Sequence, residues 1–501
     1  MRKISFIILT FLFPLCLSAQ EEWELLRGGC LPDGLPQQSY ANGVRLSAPR
    51  RLPAINNQWD ATKTYHQLVL LVEFVDQSFN CEDPLGFYNR MLNEPGYNEG
   101  AGAGCMADYF RVQSDGLFNV QFDVYGPYVV SQKAQPYDNP DGNTKNYGKE
   151  SFREAVLKFL GDSPDIDFSQ YDWDDDNYVN QVIFVYAGVP GNLGSKTYGH
   201  IWPNSSSITT VNTPDGKIIC NYSASAEVWP TTTPRSCGFG TVSHEFGHSL
   251  GLPDIYPTNG WCYSICDEWD LMDGGNVTNY GWCPANFTPL EKMLLGWLTP
   301  IELTEAESVC DLPAVSENGS IFQIRHSDTE YLLLENRQQT NWDAGVPGHG
   351  LMVWYVNYDE SAWRNNVPNN VKNAPRFHPV YADGLDYVAW TNKVVAEGLS
   401  TYQNSNRMNK RHLSTSPYPF VTEETTVDAI VEEYLTNIQE TADGLVSFDF
   451  KGGVVGIKQI NTSAFMAYDY YDLHGRRVNN PQQDKLYIVR TPKGIRKQLC
   501  R

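Results

Sequence analysis

Positive charge is scarce in this chain. Its 37 Lys and Arg stand against 59 Asp and Glu, a formal net charge of −22 over 501 residues, and no stretch gathers a basic patch. A phosphate-binding surface needs such a patch, so a nucleic-acid partner is excluded. Long apolar runs are equally scarce. The only one, Ile4 to Leu17, is too short for a membrane span, so no transmembrane segment is expected once it is removed. No internal repeat is visible, which excludes a solenoid or propeller. With 41% hydrophobic and 13% aromatic residues the chain is globular, and its length allows several domains with cores of their own.

What stands at the N-terminus explains the one apolar run. Arg2 and Lys3 precede it and Ser18-Ala19 follows, the layout of a signal peptide over residues 1–19. The expected location is therefore secreted or at the cell surface; Cys16 leaves lipidation open as a route to anchoring. Eleven cysteines in an exported chain predict some disulfides, without fixing their pairing. Cys262 and Cys266 are spaced like a zinc pair, but no second close pair completes four ligands, so a disulfide or free thiols is the better reading.

The stretch Thr241 to Asp254, TVSHEFGHSLGLPD, carries the chemistry. On a helix of about 3.6 residues per turn, His244 and His248 lie on one face, with Glu245 beside them. Gly251 suits a left-handed helix end and Pro253 cannot continue the helix, so Asp254 is expected to return toward the two imidazoles. Two histidines and a carboxylate leave one position open, as in catalytic rather than structural zinc. Glu245 would then take a proton from water attacking a peptide carbonyl, with protein or peptide as substrate. Glu268 is the alternative third ligand. Asp270 to Gly275 reads as a tight turn that sets Met272 under the metal, and Tyr280 is a candidate hydrogen-bond donor to the oxyanion. A competing reading is a secreted binding or adhesion protein on a peptidase scaffold; the intact Glu245 speaks against it.

Other stretches are read around this one. Residues 20–58, rich in Gly, Pro and Asn, form an extended prosegment. Within it Arg27 to Gly34 resembles the latency motif of matrix metalloproteinase propeptides, in which a thiolate near Pro-Asp fills the open zinc position; Cys30 is the expected ligand and Asp33 its substitute. Gln67 to Val75 reads as a buried central strand, Pro84 to Leu92 as a helix, and Phe118 to Val124 as a half-buried strand. Ser151 to Leu160 reads as a helix opened by a Ser151/Glu154 capping box. Asp172, Asp174 and Asp176, at alternate positions, suggest a calcium loop as against a solvated acidic turn, although Asn177 and Ile183 depart from an EF-hand. A strand over Gln181 to Ala187 follows, and Glu291 to Leu298 reads as a packing helix. Beyond Pro300, Ile321–Ile324, Glu330–Leu334, Leu351–Val356, Thr425–Val431 and Leu445–Phe450 are strand-like runs of sandwich type.

The fold class expected is α+β. A peptidase domain over 59–299 (a twisted mixed sheet plus the active-site helix) precedes a sandwich-like β domain over 300–452 and a small β segment over 453–501. The zinc motif resembles the metzincins and, more closely, the immune inhibitor A-type secreted metallopeptidases. The likeness also takes in Asn93–Tyr97, Asp108–Phe110, Asp172–Gly188, Tyr331–Arg337 and Val346–Leu351. It implies a zinc endopeptidase made as a latent zymogen with a β-rich domain after the catalytic one. Trp354 to Asn357 departs from it, where His-Val-Asp is expected. The last segment is similar to sorting domains of the type IX export pathway.

Overall fold

The computed structural model describes residues 52–453, apart from 101, 135–146, 164, 192–200, 230–234, 262–263, 347, 373 and 381–434, together with short strands between 457 and 499. Cys30, Asp33, Cys262, the signal-peptide stretch and Thr425–Val431 lie outside the described residues.

In chain order the elements are β1 (Thr64–Phe74), α1 (Pro84–Asn93), α2 (Met106–Gln113), β2 (Asn119–Val130), α3 (Tyr147–Asp162), β3 (Val182–Tyr186), β4 (Asn204–Asn212) and β5 (Ile218–Ala226). The pair β6 (Val228–Trp229) and β7 (Arg235–Ser236) leads into α4 (Gly240–Ser249) and α5 (Pro289–Leu294). Then come β8 (Ile301–Glu302), β9 (Glu307–Leu312), β10 (Phe322–Arg325), β11 (Glu330–Arg337), β12 (Gly350–Asn357), α6 (Glu360–Arg364), β13 (Phe377–Pro379), β14 (Leu435–Glu440), β15 (Val446–Phe450) and β16 (Ile457–Gln459). Four short strands between Asp469 and Leu499 make a separate antiparallel sheet.

The first sheet has the order β2-β1-β3-β5-β4, parallel except for β4 at one edge. Because β1 is apolar on both faces, both faces are covered, as a parallel sheet requires. Leu68, Leu70, Val72 and Phe74 face α3, whose Phe152, Ala155, Val156 and Phe159 are buried on them. Val69 and Leu71 face the other way, toward α1, α2 and α4. There Phe246 of α4 meets Phe110 edge-on at 5.0 Å and Phe122 at 6.0 Å. Contacts of this kind contribute about 0.5–1.5 kcal/mol each beyond area burial and fix the helix against the sheet.

The same period-2 logic ties on the remainder of the chain. On β11 and β12, Tyr331, Leu333, Met352, Trp354 and Val356 join the core that contains α4. The alternate residues Leu332, Leu334, Leu351, Val353 and Tyr355 face β9, β14 and β15. The sheet β13-β12-β11-β10-β8 is thus covered on one face by the helical layer and on the other by the sheet β14-β15-β9-β16.

One sequence expectation is corrected. Helix α3 starts at Tyr147, so Ser151 lies inside it, and the Glu154 carboxylate accepts hydrogen bonds from Ser131 N and Oγ at 3.0 and 2.6 Å instead of closing a capping box. A partner from the neighbouring strand end outcompetes the local one. The expected disulfides are also not formed at Cys81, Cys105, Cys220, Cys266, Cys283 or Cys310, which are free thiols.

Candidate metal centre

Helix α4 is buried on all sides, and two of its glycines are required by close approach. A Cβ on Gly240 would meet the Asn276 carbonyl oxygen at 1.9 Å, and one on Gly247 would meet Met272 Sδ at 2.6 Å. Gly247 therefore admits the Met272 thioether against the helix that carries the histidines. The helix closes with paired bonds, Leu252 N–H to Gly247 O and Gly251 N–H to His248 O, both 3.1 Å, with Gly251 at φ +98°. This is a Schellman end, which satisfies carbonyls the last turn leaves open. It reverses the chain as the sequence predicts and brings Asp254 back to the histidines.

Each imidazole is aimed by a backbone carbonyl. His244 Nδ1 lies 2.9 Å from Leu271 O and His248 Nδ1 lies 2.8 Å from Leu252 O. A carbonyl only accepts, so each Nδ1 carries a proton, and each Nε2 faces Asp254, donating to it when protonated and free to offer its lone pair to a metal when not. Both Nε2 atoms lie 3.2 Å from the same oxygen, Asp254 Oδ1. The three ligand atoms fall within 4.8 Å of one another and all three residues are buried. Glu268 is buried too but is not part of this group.

The electrostatics express mutual dependence. Burial, the largest influence on His244, lowers its pKa, but the hydrogen bond to Asp254 and the Glu245 charge outweigh it and hold the imidazole at about 9. Burial likewise pushes the Asp254 carboxyl up, yet the His248 charge and the hydrogen bonds from both histidines hold it well below the carboxylate range. A buried carboxylate facing two imidazoles in this way is a donor set that suits zinc, with nitrogen and oxygen ligands and no thiolate.

The turn under the helix forms as expected: Gly275 N–H bonds Asp270 O at 2.8 Å and Met272 N–H bonds Asp270 Oδ1 at 2.7 Å. Tyr280 sits in a run of left-handed backbone, Asn279, Tyr280 and Gly281 at φ +48°, +59° and +81°. The Arg235 guanidinium lies 3.9 Å from its ring centroid and the Trp229 indole N–H donates to its carbonyl at 3.1 Å. Asp172, Asp174 and Asp176 also come together within 4.8 Å, but the buried Asp172 carboxylate already binds Lys217 Nζ at 2.6 Å and the N–H groups of Asp176 and Asn177.

Two neighbours of the site carry no signal in the sequence. Tyr256 is buried with its ring parallel to His244, centroids 6.5 Å apart. Asn366, 112 residues after Asp254, accepts from Asp254 N–H and donates to Asp254 Oδ2, each at 2.6 Å. At the departure from the expected His-Val-Asp, Trp354 is a core residue, stacked on Phe377 at 5.1 Å and donating to Glu335 at 2.9 Å.

Residues 56–295 match the model of the immune inhibitor A peptidase M6 catalytic domain. Immune inhibitor A of Bacillus thuringiensis subsp. alesti is 27% identical over 297 residues, covering 51% of this chain and 43% of that protein. The pre-pro-metalloprotease PrtV of Vibrio cholerae is 25% identical over 327 residues, covering 58% of this chain and 34% of that protein. The chain thus spans less than half the length of the curated relatives it matches. The family model and these relatives support an immune inhibitor A-type M6 peptidase domain built around α4. Among the described residues, no helix is long and apolar enough to cross a membrane.

Proposed function

We propose that this chain is a secreted zinc endopeptidase of metzincin-like architecture, made as a latent precursor and acting on protein substrates. The observation that carries the reading is the convergence of His244 Nε2, His248 Nε2 and Asp254 Oδ1 beside Glu245. Those three residues would hold the ion. Zinc supplies Lewis acidity to a peptide carbonyl and lowers the pKa of water to about 7. Glu245 takes the proton from the attacking water and hands it to the leaving amine. Tyr280 donates to the developing oxyanion, with Arg235 and Trp229 fixing its ring and backbone. The outer edge of the first sheet, β4, runs alongside α4 and offers backbone groups to an extended substrate.

Latency from Cys30, or from Asp33 in its place, is part of the same reading. Leu52 N–H bonds Arg364 O at 2.8 Å, and Ile55 lies against Gly251 at the end of the metal helix, so the chain toward Cys30 departs from beside the centre. Extended, the intervening chain reaches as far as ~75 Å, more than enough to return to it. The pre-pro designation of PrtV is consistent with a leader and prosegment. Calcium at Asp172, Asp174 and Asp176 would need Lys217 to leave Asp172, which favours the ammonium as the resident cation. Display at the cell surface through the last β segment belongs to the same proposal.

Casein hydrolysis by the chain trimmed to Asn56 tests the reading. Activity is expected to be abolished by chelator, restored by zinc, and lost in Glu245→Gln while that variant keeps its zinc. Full activity in Glu245→Gln refutes the assignment of the base.

A further inference from the structure

We propose that Asn366 is the positioning residue of the metal centre, and that residues 360–372 and 374–377, beyond the peptidase match, form a strap that shapes its third ligand. The proposal rests on the metal reading above and deepens it. The loop from Asp254 to Trp261 follows α4 without helix or strand, so its polar groups must be satisfied from elsewhere. Ile255 N–H goes to Met272 O, but Asp254, Thr258, Asn259, Trp261 and the Ile255 carbonyl find partners on the strap. Asn366 closes a two-bond ring with Asp254, taking its backbone N–H on Oδ1 and donating from Nδ2 to its Oδ2, both at 2.6 Å. The two carboxylate oxygens thereby have separate tasks: Oδ2 is held by the amide and Oδ1 faces both histidines. Rotation of the carboxylate would break one or the other.

The strap is itself anchored. Asn369, fully buried, donates to Ile255 O and Phe377 O, both at 2.8 Å. Thr258 Oγ1 bonds Asn366 O at 3.0 Å, and Trp261 Nε1 bonds Asn369 O at 2.8 Å. Trp363, on α6, is buried in the core that contains α4. Asn366 adopts φ +59°, a left-handed conformation that asparagine tolerates better than other side chains. A glycine at 366 would keep that backbone and lose only the amide, whereas an aspartate would keep the size and set a second carboxylate against Asp254 Oδ2.

The test is the zinc dissociation constant of the full chain, measured by competition with a chromogenic chelator, for the parent, Asn366→Gly, Asn366→Asp and Asp254→Ala. Outer partners of metal ligands are worth about 10–100-fold in affinity. Both Asn366 variants are expected to bind zinc in that measure more weakly, Asn366→Asp the weaker. In an Asp254→Ala background, Asn366→Gly is expected to change affinity no further. A merely structural role would lower the melting temperature of the chelated protein and leave the dissociation constant unchanged, and that result overturns the proposal while the metal reading stands. A parent chain that binds no zinc overturns both.

Discussion

Gly251→Ala probes how the helix end builds the site. At φ +98° a side chain is in the left-handed region, and its Cβ would lie 2.8 Å from Ile55 Cα and 2.9 Å from Ile55 N. The conformational penalty is about 1–2 kcal/mol and overpacking against backbone about 1–3 kcal/mol, offset by about 0.4–1 kcal/mol from the stiffer unfolded chain. The net expectation is a loss of about 1–4.5 kcal/mol, read as a lower urea midpoint at unchanged slope with chelator present. Trimming the neighbour in Ile55→Ala removes the Cγ1 contact at 2.9 Å but should restore only part of the loss, because the Cα and N of Ile55, at 2.8 and 2.9 Å, are main chain and stay. Zinc affinity should fall as well, since the carbonyl that orients His248 belongs to Leu252, the next residue. A change below about 0.5 kcal/mol together with unaltered zinc affinity would refute this account of the cap.

Other consequences are equally open to measurement. Arg337 is fully buried between Glu335 and Asp343, at 2.8 Å from each; Arg337→Met leaves two buried carboxylates uncompensated and should cost about 3–5 kcal/mol in urea unfolding. For Asp172, burial raises the pKa, but the Lys217 hydrogen bond and two N–H groups outweigh it and hold the carboxyl below its ordinary 3.8. Its contribution is therefore present above that value and lost as pH falls through the depressed one, so Asp172→Asn should be less stable than the parent at neutral pH and converge with it in acid. Cys30→Ala should give activity before any processing; silence in that variant, with activation by trimming to Asn56, would remove Cys30 as the blocking ligand.

The sequence resolved those elements whose pattern is local. An apolar run on both faces made β1 a buried strand, and β11 and β12 were legible because successive residues serve two different cores. Strand β4, which is rich in Ser and Thr, buries Ser205 among them and shifts its pairing with β5 between Ser207 and Val211, carried no such pattern. Glu154 misled because a capping box is a local rule, and Ser131 on a neighbouring segment made the better partner.

At the site the division follows the same physics. By itself the sequence determined the two histidines, Glu245, the glycine that turns the chain and the return of Asp254, because helix periodicity and cap chemistry act over a few residues. Only tertiary structure decided which carbonyls aim the imidazoles, that Met272 lies against Gly247, that Trp354 is core, and that Asn366 grips Asp254 from 112 residues away. Contacts between distant segments leave no period in the chain; they arise when burial of separate apolar faces forces polar groups to find partners in whatever segment packs beside them.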